Sequence, residues 1–151
     1  MSTILDLFQQ AQMAEAAYAD LTGTVGNQNN LKNALDIANN AVFNGSFAAT
    51  QAAEFVLHWR VVDQYTAPSL FGLTDSGFSA TVFESLDHPG QYTFAIRGTE
   101  ASTLTDLSAD ISGIGGQGIA VRQALDLYNY RKSLATTLGQ PYQAAYLKIA
   151  S

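Results

Sequence analysis

The sequence predicts an α/β fold in which a helical N-terminal third is followed by short strands, including an antiparallel hairpin, and then by a crossover helix. Three observations predict it. Apolar residues recur at helical spacing up to residue 57, alternate at period two between 58 and 97, and return to helical spacing afterwards. A chain of 151 residues has room for one ordinary domain. Charged residues make up 13%, well under the usual ~25%, while 47% are hydrophobic, so the composition is that of a chain with a sizeable core. With 11 Gln and 8 Asn against 7 Lys plus Arg, the surface is wetted mostly by amides and hydroxyls.

The first helix is expected from Ser2 or Thr3, either of which can cap it, with Ile4, Phe8, Ala11, Tyr18 and Leu21 near one stripe. Thr22-Gly23-Thr24-Val25-Gly26-Asn27 ends it. A second helix from about Asn30 carries Leu31, Ala34, Leu35 and Ala38, and Asn44-Gly45-Ser46 separates it from a third that carries Phe47, Ala48, Ala52, Phe55 and Val56. The period then changes. Trp59–Tyr65 is β-branched and aromatic, and Thr66-Ala67-Pro68 closes it as a strand. Phe78–Glu84 and Gln91–Arg97 both alternate, and the turn Leu86-Asp87-His88-Pro89-Gly90 between them makes an antiparallel hairpin. A short helical window at Thr103–Ile111 and a glycine-rich run at Gly113–Gly118 follow. Then comes a longer helix with Val121, Leu125, Tyr128 and Lys132 on one stripe, and Pro141 opens a last helical segment running to the end. The expected organisation is helical 1–57, strands 58–97, a loop region 98–118 and helices 119–151.

Charge and composition exclude several functions. The net charge is -6 and no run of Lys or Arg exists to neutralise a phosphate backbone, so nucleic acid is not an expected partner. Absence of cysteine removes disulfides, thiolate metal sites and cysteine nucleophiles. No apolar stretch approaches the ~20 residues that span a bilayer, so no transmembrane segment is expected.

Several motifs carry candidate chemistry. Gly113-Ile114-Gly115-Gly116-Gln117-Gly118 matches G-x-G-x-x-G, but the dinucleotide fingerprint needs a strand running directly into its first glycine, and Asp106–Ser112 reads as helical. Nucleotide binding is therefore the third reading, behind a hinge or helix-start loop. Gly77-Phe78-Ser79-Ala80-Thr81 falls one residue short of a nucleophile elbow, and Ser79 begins a strand where an elbow would follow one; His88 is a turn residue. His58 sits at a helix-to-strand boundary as a packed or hydrogen-bonded imidazole. Two histidines thirty residues apart give no metal spacing, and Asp106 with Asp110 lacks the further ligands a metal needs, so no metal or cofactor is expected in this chain. In Tyr92–Glu100 a strand ends in Arg97-Gly98-Thr99, where the glycine lets a hydroxyl and an amide turn toward a cavity, which is how oxyanion donors are built. An ordinary strand-end turn has the same pattern.

Phe94-Ala95-Ile96-Arg97-Gly98-Thr99, followed by Asp106-Leu107-Ser108-Ala109-Asp110, resembles the Phe/Ile-Arg-Gly-Ser/Thr strand end and the downstream Asp/Asn-Trp/Leu-x-x-Asp of class 3 lipases, a branch of the α/β-hydrolases. Val61–Tyr65, Gly77–Phe83 and Gln123–Tyr130 resemble the N-terminal catalytic region of bacterial RTX-type lipases, so that the similarity covers roughly residues 45–135. The resemblance implies the N-terminal portion of an α/β-hydrolase fold, incomplete without the following segment. In it Thr99 is the oxyanion-hole residue, Asp110 orients its hydroxyl, and 98–118 forms the oxyanion loop and lid, with Leu104, Leu107 and Ile111 as the lid's apolar face. The family's serine lies in a Gly-His-Ser-Leu-Gly-type elbow after the next strand, and its acid and histidine follow. None of these is in this chain, and His58 and His88 both precede the oxyanion strand. The implied function is thus that of an N-terminal segment of a carboxylic-ester hydrolase, inactive alone, whose partners are a lipid or ester substrate and the missing C-terminal half. Calcium would belong to C-terminal repeats beyond this chain, and the location would be extracellular by a signal-peptide-independent route, with a cytoplasmic location as the alternative that the same composition allows. The alternative is a non-catalytic interaction module of hydrolase ancestry.

Overall fold

In a computed structural model the described residues are 3–67, 78–97, 115–137 and 147–150. The elements are α1 (Ile4–Ala16), α2 (Gln28–Leu35), a 3-10 turn (Ile37–Asn39), α3 (Asn40–Phe43), α4 (Ala49–His58), β1 (Trp59–Thr66), β2 (Ser79–Ser85), β3 (Tyr92–Arg97), α5 (Gly115–Thr137) and β4 (Leu147–Ala150). Thr3 caps α1 in a reciprocal box: its hydroxyl accepts from the Asp6 amide at 3.1 Å and its own amide donates to the Asp6 carboxylate at 2.9 Å. Asn27 caps α2 by accepting from the Asn30 amide.

The four strands form one sheet in the order β1-β2-β3-β4, with β1, β2 and β3 antiparallel and β4 parallel to β3. The register of β1 slips between Val61 and Asp63, a bulge that moves Asp63 onto the face opposite Val61. Both faces are covered, and side-chain alternation divides the core in two. Toward α1–α4, Val61, Phe83 and Ala95 pack with Met13, Leu31, Leu35, Phe47 and Phe55. Phe55 is the centre of this layer, edge-on to Phe47 and to Phe83 with centroids 5.5 Å apart in each case. Toward α5, Ala80, Val82 and Phe94 pack with Tyr130 and Leu134. The result is a helix, sheet, helix arrangement of mixed α/β class.

Three expectations are corrected. The last segment is not helical throughout 119–151: Leu147–Ala150 is a strand, because alternate apolar residues beside β3 gain a complete hydrogen-bonded edge that a short terminal helix would lack. The loop region expected to reach residue 118 stops short of Gly115, since Gly115–Gly118 form the first turn of α5. The predicted apolar stripes are also out of phase. On α1, Ile4 and Phe8 are 88% and 57% exposed while Gln12, Met13, Ala16 and Ala17 are buried, because only the C-terminal half of the helix packs on the sheet and its alanines allow close approach to β3 and β4. On α5, Leu125 and Tyr128 are exposed and Tyr130 and Leu134 buried. Tyr130 sets this phase: its ring stacks on Tyr65 and lies against Phe94, and its hydroxyl donates to Asp63 Oδ2 at 2.8 Å. That hydrogen bond becomes available only through the bulge.

Candidate functional site

The motif strand is β3, and its alternation places Phe94 and Ile96 toward α5 and Ala95 toward the N-terminal helices. Thr99 and Asp110, with the lid residues Leu104, Leu107 and Ile111, lie outside the described residues, as does Asp106. The motif strand ends at Arg97, the residue before Gly98-Thr99 in sequence. Arg97 is the register partner of Ser79, which in turn pairs with Thr66, so the ends of β1 and β3 and the start of β2 meet at one edge. A cavity of about 270 Å³ opens there, lined by Gln64, Thr66, Ser79 and Arg97 from the sheet and by Asp20 and Thr22 from the α1–α2 connection. In open α/β sheets, ligands bind outside the carboxyl ends of parallel strands, and this cavity has that position relative to β3.

Its walls are pre-organised by hydrogen bonds. Gln64 Oε1 accepts from the Leu21 amide at 2.7 Å, and its Nε2 donates to the Ala19 carbonyl and to Thr81 Oγ1, both at 2.9 Å. One strand side chain thereby holds the α1–α2 connection against the sheet. The Asp20 carboxylate accepts from the Thr22 hydroxyl at 2.7 Å and from its amide at 3.2 Å, closing a tight local turn. The Thr66 and Ser79 hydroxyls are 3.2 Å apart. Arg97 Nε is buried and meets no acceptor among the described residues. Gln64 was missed from sequence because an amide in an aromatic, β-branched strand reads as a solvent-facing position. Only the fold supplies its partners, two of which are backbone groups more than forty residues away.

The serine and histidine weighed as a pair are separated by the length of a strand. Ser79 begins β2 and is 2% exposed, whereas His88 lies in the turn beyond its other end. His58 is also at that far end, its carbonyl accepting from the Leu86 amide at 2.8 Å. The His58 ring is held on both sides: Nδ1 is 2.6 Å from Asp87 Oδ2 and Nε2 is 3.2 Å from Glu54 Oε1. The hydrogen bond to Asp87, and then that to Glu54, raises its pKa from 6.5. With each nitrogen facing a carboxylate, His58 is a hydrogen-bonded structural imidazole that ties α4 to the β2–β3 turn. Burial raises the Tyr65 hydroxyl above 10.0, with the Asp126 charge adding to the shift, so it is not poised to act as a base near neutrality.

The glycine motif has lost its fingerprint context: β3 ends at Arg97, and Gly115, Gly116 and Gly118 are inside α5. Among the described residues no three His, Asp or Glu side chains gather as a metal site, and no helix is long and apolar enough to cross a membrane. No protein-family model, curated protein or solved structure matches the chain.

Proposed function

We propose that this chain is the N-terminal segment of a carboxylic-ester hydrolase of the class 3 lipase type, supplying an oxyanion loop and lid to a Ser-Asp-His triad that lies beyond residue 151. The parallel pairing of β3 with β4 carries the reading. Ala95 is the register partner of Ala150, so the two parallel strands lie about 4.8 Å apart there. A parallel neighbour of the motif strand supports a reading in which an elbow serine follows β4. The cavity at the end of β3 supports the same arrangement.

In this reading the serine oxygen attacks the ester carbonyl, and the carbonyl oxygen takes on negative charge that the Thr99 amide and hydroxyl stabilise by donating hydrogen bonds. Asp110 is the residue that positions Thr99. Leu104, Leu107 and Ile111 form the apolar side of a lid over the substrate acyl chain. The substrate is a lipid or other carboxylic ester, and export follows the signal-peptide-independent route of the lipases that the sequence resembles.

Hydrolysis of nitrophenyl esters by the full-length enzyme tests the proposal. Thr99→Ala is expected to lower kcat by about 10²- to 10³-fold, the effect of losing one oxyanion donor, and Asp110→Ala by less. Unchanged turnover in Thr99→Ala sinks the assignment. A protein with no esterase activity, and with no Gly-x-Ser-x-Gly segment in the chain or in a co-purifying polypeptide, is instead the interaction module.

A further inference from the structure

A second cavity, of about 580 Å³, opens beside the first and shares Asp20 and Thr22 with it. Its volume falls within the roughly 300–1,000 Å³ typical of small-molecule sites. The side chains that matter in its lining are Asp20, Thr22, Asn30, Asn33, Asn39 and Phe43. This set excludes most ligand classes. Among the described residues no Lys, Arg or His lines the cavity, so a phosphate or carboxylate finds no counter-charge there. Among the described residues Phe43 is the one large apolar side chain in it, so an acyl chain finds no continuous wall there. A metal finds one carboxylate, that of Asp20, among the described residues.

What remains is hydrogen-bonding capacity in excess of what the protein uses. Asp20 Oδ1 is engaged by Thr22, but Oδ2 has no partner among the described residues. Asn30 and Asn39 donate through Nδ2 to the carbonyls of Gly23 and Asn33, at 3.4 and 3.1 Å, and neither Oδ1 has a partner among the described residues. The Asn33 amide has no side-chain partner among the described residues. A planar carboxylate or amide spans two adjacent hydroxyls, accepting from one while bonding the other, and an aromatic ring receives the weakly positive C–H face of a sugar ring. We propose that this cavity binds a neutral polyhydroxylated ligand, a hexose or the hexosyl end of a glycan, with Asp20 and the asparagines on its hydroxyls and Phe43 against its C–H face. The site uses no residue of the proposed oxyanion loop or lid, and shares only Asp20 and Thr22 with the cavity at the end of β3.

Saturation-transfer NMR and titration on the full chain test it, with D-glucose, D-galactose, D-mannose and their methyl glycosides as probes and with octanoate and inorganic phosphate as controls. At least one sugar is expected to bind saturably at millimolar concentration. Asn33→Ala and Asp20→Asn are each expected to weaken it by about tenfold, the worth of a hydrogen bond or two. Asn33 is exposed and outside the core, so its variant keeps the fold even where Asp20→Asn loosens the Thr22 turn. Binding of the methyl glycoside as well as the free sugar identifies a glycan end, and binding of the free sugar alone identifies a monosaccharide. The proposal is overturned if no sugar binds saturably, if octanoate or phosphate competes for the same cavity, or if neither variant changes the affinity.

Discussion

Gln64→Leu removes an amide that makes three hydrogen bonds, two to the α1–α2 connection at the Leu21 amide and the Ala19 carbonyl and one within the sheet to Thr81 Oγ1. Leu21 and Ala19 are 0% and 4% exposed, so the two backbone groups it leaves behind are shielded from water. Each net hydrogen bond is worth about 1 kcal/mol, and leaving a buried partner unsatisfied adds to that, so the expected loss is about 3 to 4 kcal/mol. With a urea m-value of about 2 kcal/mol/M, the midpoint should fall by roughly 1.5 to 2 M with m unchanged. Thr81→Val removes only one of the three bonds and should cost about 1 kcal/mol. The double variant should lose less than the sum of the two, because both singles break the same Gln64–Thr81 contact. A Gln64→Leu loss below about 1 kcal/mol refutes the argument, since water would then be replacing the amide without penalty.

Phe55→Ala empties the centre of the Phe47–Phe55–Phe83 cluster and should destabilise by about 3 to 5 kcal/mol in urea unfolding. Gly45→Ala places a Cβ against the Ala34 carbonyl oxygen and 2.6 Å from the Leu35 carbonyl, both of them backbone, and should cost about 1 to 3 kcal/mol by the same measurement. Tyr130→Phe leaves Asp63 without its phenol donor and should cost about 1 to 2 kcal/mol while the aromatic packing on Tyr65 survives in the near-UV circular dichroism. Asp87 and Glu54 raise the His58 pKa in the folded state, so their stabilisation is complete below the unfolded value of 6.5 and is lost as pH rises through the raised folded value. The stability difference between wild type and His58→Gln should shrink across that window; a difference that grows with pH reverses the assignment.

Much of the secondary structure was legible because its signals are local. Thr3 capping α1, the period-two strands and the Leu86–Gly90 turn each need only neighbouring residues to be recognised. The failures share a different cause. Helix phase on α1 and α5 is decided by what lies across the interface: alanines over β3 and β4 in one case, and a tyrosine reaching Asp63 across a bulge in the other. The strand Leu147–Ala150 was read as helix because four residues carry almost no periodicity, while the partner that stabilises them, Tyr92–Ala95, is remote in sequence. At the site, the Arg97 strand end was visible in the sequence, whereas the cavity beside it was not. That cavity needs Gln64 and Asp20 brought together by the fold.

The pairing of β3 with β4 also has a kinetic meaning. Tyr92 meets Glu84 across a short turn, but it meets Leu147 only after the whole of segment 98–146 has been closed into a loop. Closing that loop costs chain entropy before any contact compensates for it, so the antiparallel strands and the N-terminal helices can form while β4 is still searching. The edge of β3 that awaits β4 is exposed during that interval and can be captured by another chain. Any feature that depends on the two parallel strand ends lying side by side would then form late in folding, and a partly folded molecule would lack it.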